Sequence, residues 1–551
     1  MKILFVARHF TYFRNYDGVI LQLAGRGHDV HLVAERDEAL GGHDLVNRLA
    51  AASPRITAGY LPARADERWF AIATVLRRSH DYLRYAAPLY DQAPKIRDRA
   101  WERTPQLAVA LSRWPGRRLI EGLLDTLDRS IPTDTAIDRF LDEQQPDLLL
   151  LTPLIELGSP QLDVLKSARR KGVRTALAVW SWDHLTSKAR IRQFPDRVLV
   201  WNETQRDEAM RLHGVASGQI DVTGAQCFDH WFGRTPSRSR EDFCRDAGLD
   251  PARPFVLYVC SALFRGSPPE PEFVVRWVNA VRAAADPVTR GAGILVRPHP
   301  QRMYLWDDVA LPEGAAFLGG HPVDERGRDD YFDSMYYAAA VVGLNTSAMI
   351  EAAIVDRPVL TLLLPEFAGN QAGTLHFRYL LDEPGGLLHA SASMAEHVTQ
   401  LGEALAGRLP ARNPAFVRHF IRPGGREQAA TPQFVAALER QAAQPRPAPL
   451  VETMSERMCG RVARAWYASA DRAVVRRLML EAGHAVEEQD RARRLADKQA
   501  SIRRHEQERL GRAAEKDERY RTKRRRARVT HWKGVVRRLL TAGAGRGPGA
   551  H

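Results

Sequence analysis

The sequence predicts an α/β protein in which two doubly wound domains of similar size face one cleft and a basic helical tail follows. In the first 440 residues, short and nearly continuous apolar runs alternate with helical patterns, as is typical of parallel strands buried on both faces of a sheet. A polar, turn-rich loop at residues 233–239 divides these runs into two sets. Ligands of such sheets bind beyond the carboxyl ends of the strands, so both domains should contribute to one site.

The first domain is predicted to span residues 1–240. It opens with a strand, a helix and a second strand within the first 33 residues, as expected for a parallel crossover. Residues from about 66 to 144 carry no strand pattern and are rich in Trp, Tyr, Arg and Leu at helical spacing, which predicts a helical insertion. The predicted strands are Ile3–Val6, Val30–Val33, Leu148–Leu151, Ala176–Trp180, Val198–Trp201 and Ile220–Thr223.

The second domain is predicted to span residues 241–440. Its apolar runs are separated by helical patterns of the same length as in the first domain, which again favours a parallel sheet. The predicted strands are Phe255–Val259, Ile294–Val296, Ala316–Leu318, Val341–Leu344 and Val359–Leu363.

A Pro-rich linker at residues 441–450 and a basic helical tail at residues 451–551 complete the chain. We expect few packing contacts to cross the linker. Within the tail, residues 521–540 combine a dense cationic block with Trp and aliphatic residues at helical spacing. This pattern is suited to an anionic membrane surface, and a helix that docks on a protein is the alternative.

The net charge of +14 comes almost entirely from the tail. Residues 451–551 contain 26 Lys and Arg residues against 13 Asp and Glu residues, which leaves 54 against 53 for residues 1–450. A neutral body with one cationic segment indicates that this segment, rather than the whole surface, meets an anionic partner. The distribution therefore argues against nucleic acid as the partner of the body.

Cysteine usage and hydropathy predict a cytoplasmic protein. The four cysteines form no CxxC pair and have no metal-ligand spacing, so we expect reduced thiols. The apolar run at residues 3–6 is too short for a signal peptide. No run in the sequence approaches the roughly 18 apolar residues of a membrane span.

The segment Val341–Ala353 carries the clearest chemical signal. An apolar strand leads through Asn345 into a polar turn, where Thr346 or Ser347 can cap the helix that follows. The exposed N–H groups of such a helix start are suited to phosphate. Glu351 lies four residues after Ser347 on the same helix face, from which its carboxylate can accept a hydrogen bond from a ribose hydroxyl. A βαβ unit with a polar cap and no ligand is the alternative interpretation.

Two further loops at predicted strand ends carry cations. Prolines hold the segment Arg297–Pro300 extended, so Arg297 and His299 can donate to phosphate oxygens. The loop at residues 261–267 contains small residues that permit close backbone approach to a ligand, and Arg265 adds charge. A strand-terminating turn with surface cations is the alternative.

These features together resemble the GT-B glycosyltransferases, over roughly residues 1–435. The resemblance rests on the strand, turn and helix that contain Glu351, on the Arg-Pro-Val strand start at residues 357–359, and on the segments 25–30, 223–229 and 297–300. It is similar to the branch that holds bacterial surface-carbohydrate enzymes, including CDP-glycerol glycerophosphotransferases and capsule transferases. The non-hydrolysing UDP-N-acetylglucosamine 2-epimerases share the fold.

The resemblance implies that the second domain binds a nucleotide-activated donor. The polar turn would hold the pyrophosphate, Glu351 the ribose, and the cations of the 297–300 loop would lie beside the phosphates. Such enzymes usually transfer without a bound metal, and no Asp-x-Asp pair stands near a strand end here, so we expect neither a metal nor a cofactor. The Gly-Gly that commonly precedes the donor helix is Thr-Ser in this chain. The implied donor-binding residues are Arg265, Arg297, His299, Asn345, Thr346, Ser347, Glu351 and His376.

A general base is expected in the first domain, facing the cleft. The candidates are His9 and Asp17 after the first strand, and Asp183 and His184 after the strand that ends at Trp180. For each, a loop residue that makes only local hydrogen bonds is the alternative. We favour Asp183, because the aromatic residues beside it could stack on a sugar.

The resulting hypothesis is a cytoplasmic transferase, peripheral at the inner face of the membrane, that moves a group from a nucleotide-sugar-type donor to a lipid-linked or polysaccharide acceptor. A second hypothesis is an enzyme like the 2-epimerases, which would need no lipid acceptor. A third is a non-catalytic nucleotide-binding or nucleic-acid-binding protein. The neutral body argues against the nucleic-acid form of this third hypothesis.

Overall fold

The computed structural model describes residues 1–37, 41–264, 266–319, 325–381, 386–410, 412–469, 473–474 and 477. Within these residues the chain forms one seven-stranded and one six-stranded sheet, with helices between the strands. The predicted α/β fold class with two doubly wound domains is confirmed. None of the described helices combines the length and the apolar character that crossing a bilayer requires.

The first sheet consists of parallel strands whose two faces are both covered. Along the first strand, Ile3 and Phe5 enter one hydrophobic core while Leu4 and Val6 enter another. Burial on both faces explains why such strands appear in the sequence as continuous apolar runs. The strands are β1 Lys2–Ala7, β2 Asp29–Ala34, β3 Ile56–Tyr60, β4 Leu148–Thr152, β5 Arg174–Ala178, β6 Arg197–Val200 and β7 Ile220–Val222. Their order is β3-β2-β1-β4-β5-β6-β7.

Helices connect these strands, and several of them form an insertion between β3 and β4. Residues 61–147, all of which the structure describes, contain helices and no strand. The Asp66 carboxylate accepts from the backbone N–H of Arg68 at 3.0 Å at the start of the insertion, which satisfies one unpaired helix donor. The helices are α1 Asp17–Gly25, α2 Gly42–Ala52, α3 Glu67–Tyr85, α4 Pro94–Trp101, α5 Gln106–Leu111, α6 Arg117–Ser130, α7 Thr135–Gln144, α8 Gln161–Arg170, α9 His184–Ser187 and α10 Glu203–His213.

The second sheet repeats the plan of the first. Its strands are β8 Phe255–Val259, β9 Gly293–Arg297, β10 Ala315–Phe317, β11 Ala340–Gly343, β12 Val359–Leu362 and β13 Leu388–Ser391, in the order β10-β9-β8-β11-β12-β13. The strand order reverses direction between β8 and β11, as it does between β1 and β4 in the first sheet. Loops diverge at these two switch points, which are the expected ligand crevices of such sheets.

The last helix of the predicted second domain packs on the first domain. The later helices are α11 Arg240–Asp246, α12 Glu270–Arg282, α13 Pro287–Gly291, α14 Glu325–Tyr337, α15 Ala348–Ile354, α16 Arg378–Leu381, α17 Met394–Leu405, α18 Asn413–Phe416, α19 Ala430–Ala442 and α20 Met454–Ser469. Phe434 and Leu438 of α19 lie in the same core as Val19 and Ile20 of α1. The predicted boundary at residue 440 is therefore wrong for α19, since the apolar face of this helix is buried against the first sheet.

The linker and the first helix of the predicted tail are in contact with the body. The backbone N–H of Leu450 donates to the carbonyl of Arg169 at 2.9 Å. Tyr467 of α20 stacks on Trp69 of α3 with ring centroids 4.3 Å apart, and Arg129 pairs with Glu456 at 3.2 Å. The expectation that few contacts cross the linker is thus wrong, because α20 packs on the helical insertion. The predicted membrane segment 521–540 lies outside the described residues.

Two strands, β3 and β13, were not predicted from the sequence, and both lie at sheet edges. In β3 only Ile56 is buried, so the strand lacks the apolar run of its neighbours. In β13 the pattern is Leu-His-Ala-Ser, which is too short and too polar to stand out. Edge strands pack on fewer neighbours, so their sequences carry a weaker signal.

Candidate active site at the two switch points

The loops after β8 and β11 are joined at the switch point of the second sheet. The backbone N–H of Asn345 donates to Ser261 Oγ at 3.1 Å, and the Asn345 amide donates to the backbone carbonyl of Asn370 at 2.5 Å. These bonds hold the predicted donor turn from two sides. Thr346 Oγ1 accepts only a long hydrogen bond of 3.5 Å from the first N–H of α15, and Ser347 is exposed and makes no cap hydrogen bond.

Glu351 lies in the first turn of α15 within a half-buried cluster of polar side chains. Its Oε2 accepts a hydrogen bond from the Tyr331 hydroxyl on α14. Burial raises the pKa of Glu351 to about 7, although the Tyr331 hydrogen bond and the charges of Arg14 and Arg297 act to lower it. A carboxylate in this state can accept a hydrogen bond from a ligand hydroxyl once it has lost its proton near neutral pH.

Arg297 contacts this cluster through the Tyr331 ring. Its guanidinium lies over the Tyr331 ring, 4.6 Å from the centroid, and its Nη1 donates to the backbone carbonyl of Asp330 at 3.4 Å. The residue is only 6% exposed and burial lowers its pKa. Arg297 therefore positions Tyr331, and through it Glu351. The second predicted phosphate contact of this loop, His299, is half-buried, and Arg265 lies outside the described residues.

Asp183 is held in its loop as a strongly ionised carboxylate. It accepts from Ser181 Oγ at 2.6 Å and from Ser187 Oγ at 2.9 Å. Burial alone would raise the pKa of Asp183, but Lys188, His376 and these hydroxyl donors hold it well below its usual range. A carboxylate that gives up its proton so readily is a poor proton acceptor. These contacts argue against Asp183 as the general base.

His184 and His376 are both buried near Asp183. His184 is 0% exposed, and burial lowers its pKa to about 3. It is therefore buried within the first domain, and its catalytic role stays a prediction. His376 is 7% exposed, meets Trp182 of the first domain edge-on at 4.5 Å, and has a pKa lowered by burial to about 4. It joins the two domains, and its donor contact stays a prediction.

His9 and Asp17 make local contacts near the end of β1. His9 Nδ1 lies 2.6 Å from Thr11 Oγ1, and its ring meets Tyr12 at 4.6 Å. Asp17 is exposed at the start of α1, where it accepts from the backbone N–H of Gly18 at 2.7 Å. Such contacts agree with the alternative interpretation, in which both are loop residues that make only local hydrogen bonds.

Three charged residues outside the predicted set lie together at the switch point of the first sheet. Arg8 and Glu35 directly follow β1 and β2, and Glu156 follows β4. Arg8 Nη1 donates to Glu156 Oε1 at 2.7 Å. Burial, followed by the charge of Glu156, raises the pKa of Glu35 to about 7, while a Gln161 hydrogen bond and Arg8 lower it. Their one signal in the sequence is that each stands close after a parallel strand.

Arg14 extends the first domain towards the Glu351 cluster. It is exposed in the short 3-10 turn Phe10–Asn15 that follows β1. Its positive charge acts on both Glu351 and Tyr331 in the second domain. Among the residues that the structure describes, no group of three or more His, Cys, Asp or Glu side chains is arranged to hold a metal ion.

Each sheet carries a polar cluster at its switch point, and α19 returns from the second domain to pack on the first. The two doubly wound domains are thus linked by a helix that follows the second sheet in the chain and packs on the first. The chain therefore has two linked doubly wound domains, the architecture that the resemblance to GT-B glycosyltransferases implies.

No family model matches the chain, and the comparison with curated proteins finds no match. Among solved structures with probability 1.00, the chain is similar to a glycosyltransferase from Rickettsia africae, with a TM-score of 0.47, 9% identity, and coverage of 81% of this chain and 99% of the other. It is also similar to the UDP-GlcNAc 2-epimerase from Methanocaldococcus jannaschii, with a TM-score of 0.46, 11% identity, and coverage of 80% and 99%.

Proposed function

We propose that this chain is a metal-independent glycosyltransferase, or a glycerophosphotransferase-like enzyme, that moves a group from a nucleotide-activated donor to a membrane-linked surface-carbohydrate acceptor. The observation that carries the proposal is the Glu351 cluster. Glu351 accepts from Tyr331 at the switch point of the second sheet, beside the exposed Ser347 and within electrostatic reach of Arg14 from the other domain. A carboxylate, a hydroxyl-bearing helix start and a cation suit the ribose and the phosphates of a nucleotide.

On the donor side, Glu351 accepts from a ribose hydroxyl, and the turn of Asn345, Thr346 and Ser347 faces the pyrophosphate. Tyr331 and Arg297 fix the direction of the Glu351 carboxylate. Arg14 meets the negative charge that grows on the leaving nucleoside diphosphate. Such stabilisation of developing charge by fixed donors is commonly the largest single contribution to catalysis.

On the acceptor side, Glu35 takes the role of general base in place of Asp183. The Glu35 carboxylate removes the proton from the acceptor hydroxyl, whose oxygen forms a bond to the transferred group. In glycosyl transfer the bond from the sugar to the nucleoside diphosphate breaks, and its electron pair leaves with the phosphate oxygen. In glycerophosphate transfer the bond between the two phosphates breaks, and its electron pair leaves with the nucleoside monophosphate. A base with a pKa near 7 is suited to proton transfer at neutral pH, and Arg8 orients the neighbouring Glu156 beside it.

The test combines binding with turnover on the full-length chain. A thermal-shift panel of nucleosides, nucleoside diphosphates and nucleotide sugars should show stabilisation by the diphosphates, since a ligand at 100 times its Kd adds about 2.7 kcal/mol to the free energy of unfolding. Membrane extracts should then accept label from the preferred nucleotide sugar in the presence of EDTA. Epimerisation of the donor without acceptor would instead support the 2-epimerase hypothesis, and binding without either reaction would support the non-catalytic one.

Replacing Glu351 with glutamine should weaken nucleoside diphosphate binding by about tenfold or more, because a charge-assisted hydrogen bond worth about 1.5–3 kcal/mol is lost. Since the pKa of Glu351 is raised to about 7, wild-type affinity should rise as the pH rises through 7, and the variant should lack this rise. Calorimetry at several pH values measures both. The 2′,3′-dideoxy nucleotide is the matched control, because it should bind wild type and variant alike. Equal loss for both ligands would contradict the ribose contact.

A further inference from the structure

The helical insertion exposes apolar side chains that a folded protein normally buries. On α5, Leu107 and Leu111 lie one turn apart and are 72% and 39% exposed. On α6, Leu119 and Leu123 repeat this spacing at 74% and 56% exposed, and Trp114 between the helices is 52% exposed. Single exposed apolar residues are ordinary, but five within residues 107–123 mark an interaction surface.

A groove of about 1340 Å³ opens beside these side chains. Residues 97–118 contain six arginines and two acidic residues, a surplus of four positive charges. No hydrogen bond or ion pair connects the side chains of Arg113 or Arg118 to another residue in the described part of the chain, so both charges are open to a ligand. The groove is lined by, among others, Arg97, Trp101, Arg113, Trp114, Arg117 and Arg118.

Trp114 is fixed at the edge of this groove. A Cβ atom built on Gly116 would lie 2.2 Å from the Trp114 ring, so the indole packs directly on the backbone of the turn. Tryptophan is favoured where an apolar environment meets a polar one. Next to α6, α20 exposes Met458 and Val462 at 61% and 71%. The surface therefore offers cations in a groove with apolar side chains around it.

We propose that the helical insertion docks on an anionic bilayer, with a lipid phosphate headgroup in the arginine groove and the exposed Leu and Trp side chains among the acyl chains. The charge of the groove complements the phosphate, and the apolar residues complement the region beneath it. This docking would bring the first domain, which holds Glu35, to the membrane that carries the acceptor. Its purpose therefore rests on the proposed function. It is separate from the predicted segment 521–540.

The test is co-sedimentation of the full-length chain with vesicles of phosphatidylcholine alone or mixed with phosphatidylglycerol. The chain should bind the mixed vesicles in preference. The double variant Arg113→Gln/Arg118→Gln should partition about thirtyfold more weakly, because each cation near an anionic surface contributes about a factor of five. Leu119→Gln/Leu123→Gln should weaken partitioning at least about tenfold. The matched controls are Arg245→Gln/Arg253→Gln and Val288→Gln, which alter exposed residues of the second domain.

Several outcomes would overturn the proposal. The two double variants could bind vesicles as well as the wild type does, or the control variants could lose as much binding as they do. The wild type could also bind neutral and anionic vesicles equally, or bind no vesicles at all, as expected if a soluble protein covers this surface. All variants keep residues 470–551 intact, so a tail-driven interaction would leave their binding unchanged. Nucleoside diphosphate affinity is measured in parallel on the same proteins. Its absence in the wild type would contradict the proposed function and leave the docking result standing.

Discussion

Replacing Glu35 with glutamine is expected to lower turnover by about 10²–10⁴-fold while nucleoside diphosphate affinity stays unchanged. Glu35 stands at the carboxyl end of β2, next to the switch point of the first sheet, and its pKa is raised to about 7 by burial and by Glu156. Glutamine keeps the shape of the side chain and removes the proton acceptor. The measurement is turnover and donor binding of purified wild type and variant.

The pH dependence gives a second readout of the same residue. Wild-type kcat/KM should rise as the pH rises through about 7, because Glu35 becomes a base only after it has lost its proton, and the variant should lack this limb. Because the folded-state pKa is raised above the ordinary 4.5, the contribution of Glu35 to the free energy of unfolding is present below pH 4.5 and is lost by about pH 7. The variant should therefore lack that decline as well.

Two matched variants separate this role from general damage. Glu203→Gln removes an exposed carboxylate of the same domain and should change nothing. Asp183→Asn should disturb the loop that Ser181 and Ser187 hold, with its effect visible in thermal stability. If Asp183→Asn lowered turnover at unchanged stability while Glu35→Gln remained active, the base would be Asp183 as the sequence alone suggests.

The predictable part of the fold is the part where local pattern and tertiary burial agree. β4 is buried at all five positions, and its first four residues are an uninterrupted run of leucines. In contrast, α19 has an ordinary amphipathic pattern. This pattern predicts that one face of the helix is buried, but it does not predict which domain covers that face. Its position follows from contacts with α1 and from Asp229, which accepts the backbone N–H of Thr431 at 2.6 Å. Such partners are distant in the chain and leave no local signal.

The same distinction applies to the site. The place of Glu351 in the first turn of α15 follows from helix periodicity, which is local. The pKa values of Asp183 and His184 do not follow from local pattern, because they depend on how much solvent each residue loses on folding and on which charges surround it. Glu35 is a comparable case: its raised pKa requires Glu156, which is more than a hundred residues away in the sequence. Candidate bases can be placed at strand ends from sequence, but choosing among them requires the assembled neighbours.

Arg14→Gln is expected to lower turnover by about 10²–10³-fold, the usual cost of removing one donor that stabilises developing charge. Arg14 belongs to the first domain, yet its charge acts on Glu351 and Tyr331 in the second. Ground-state binding of the donor should weaken much less than turnover, since the negative charge on the leaving diphosphate grows only as its bond breaks. The measurement is kcat and nucleotide-sugar Kd for the variant and the wild type.

The control for this prediction is Arg26→Gln, which removes a comparably exposed arginine of the same domain that pairs with Glu439 instead. It should leave both kcat and Kd unchanged. Arg14→Lys should recover part of the activity, because the charge returns without the planar fork that binds two oxygens at once. A loss of donor affinity as large as the loss of turnover would show that Arg14 binds the donor equally in the ground state. Unchanged turnover would mean that the leaving group is stabilised from the second domain alone, so that the two switch points act independently.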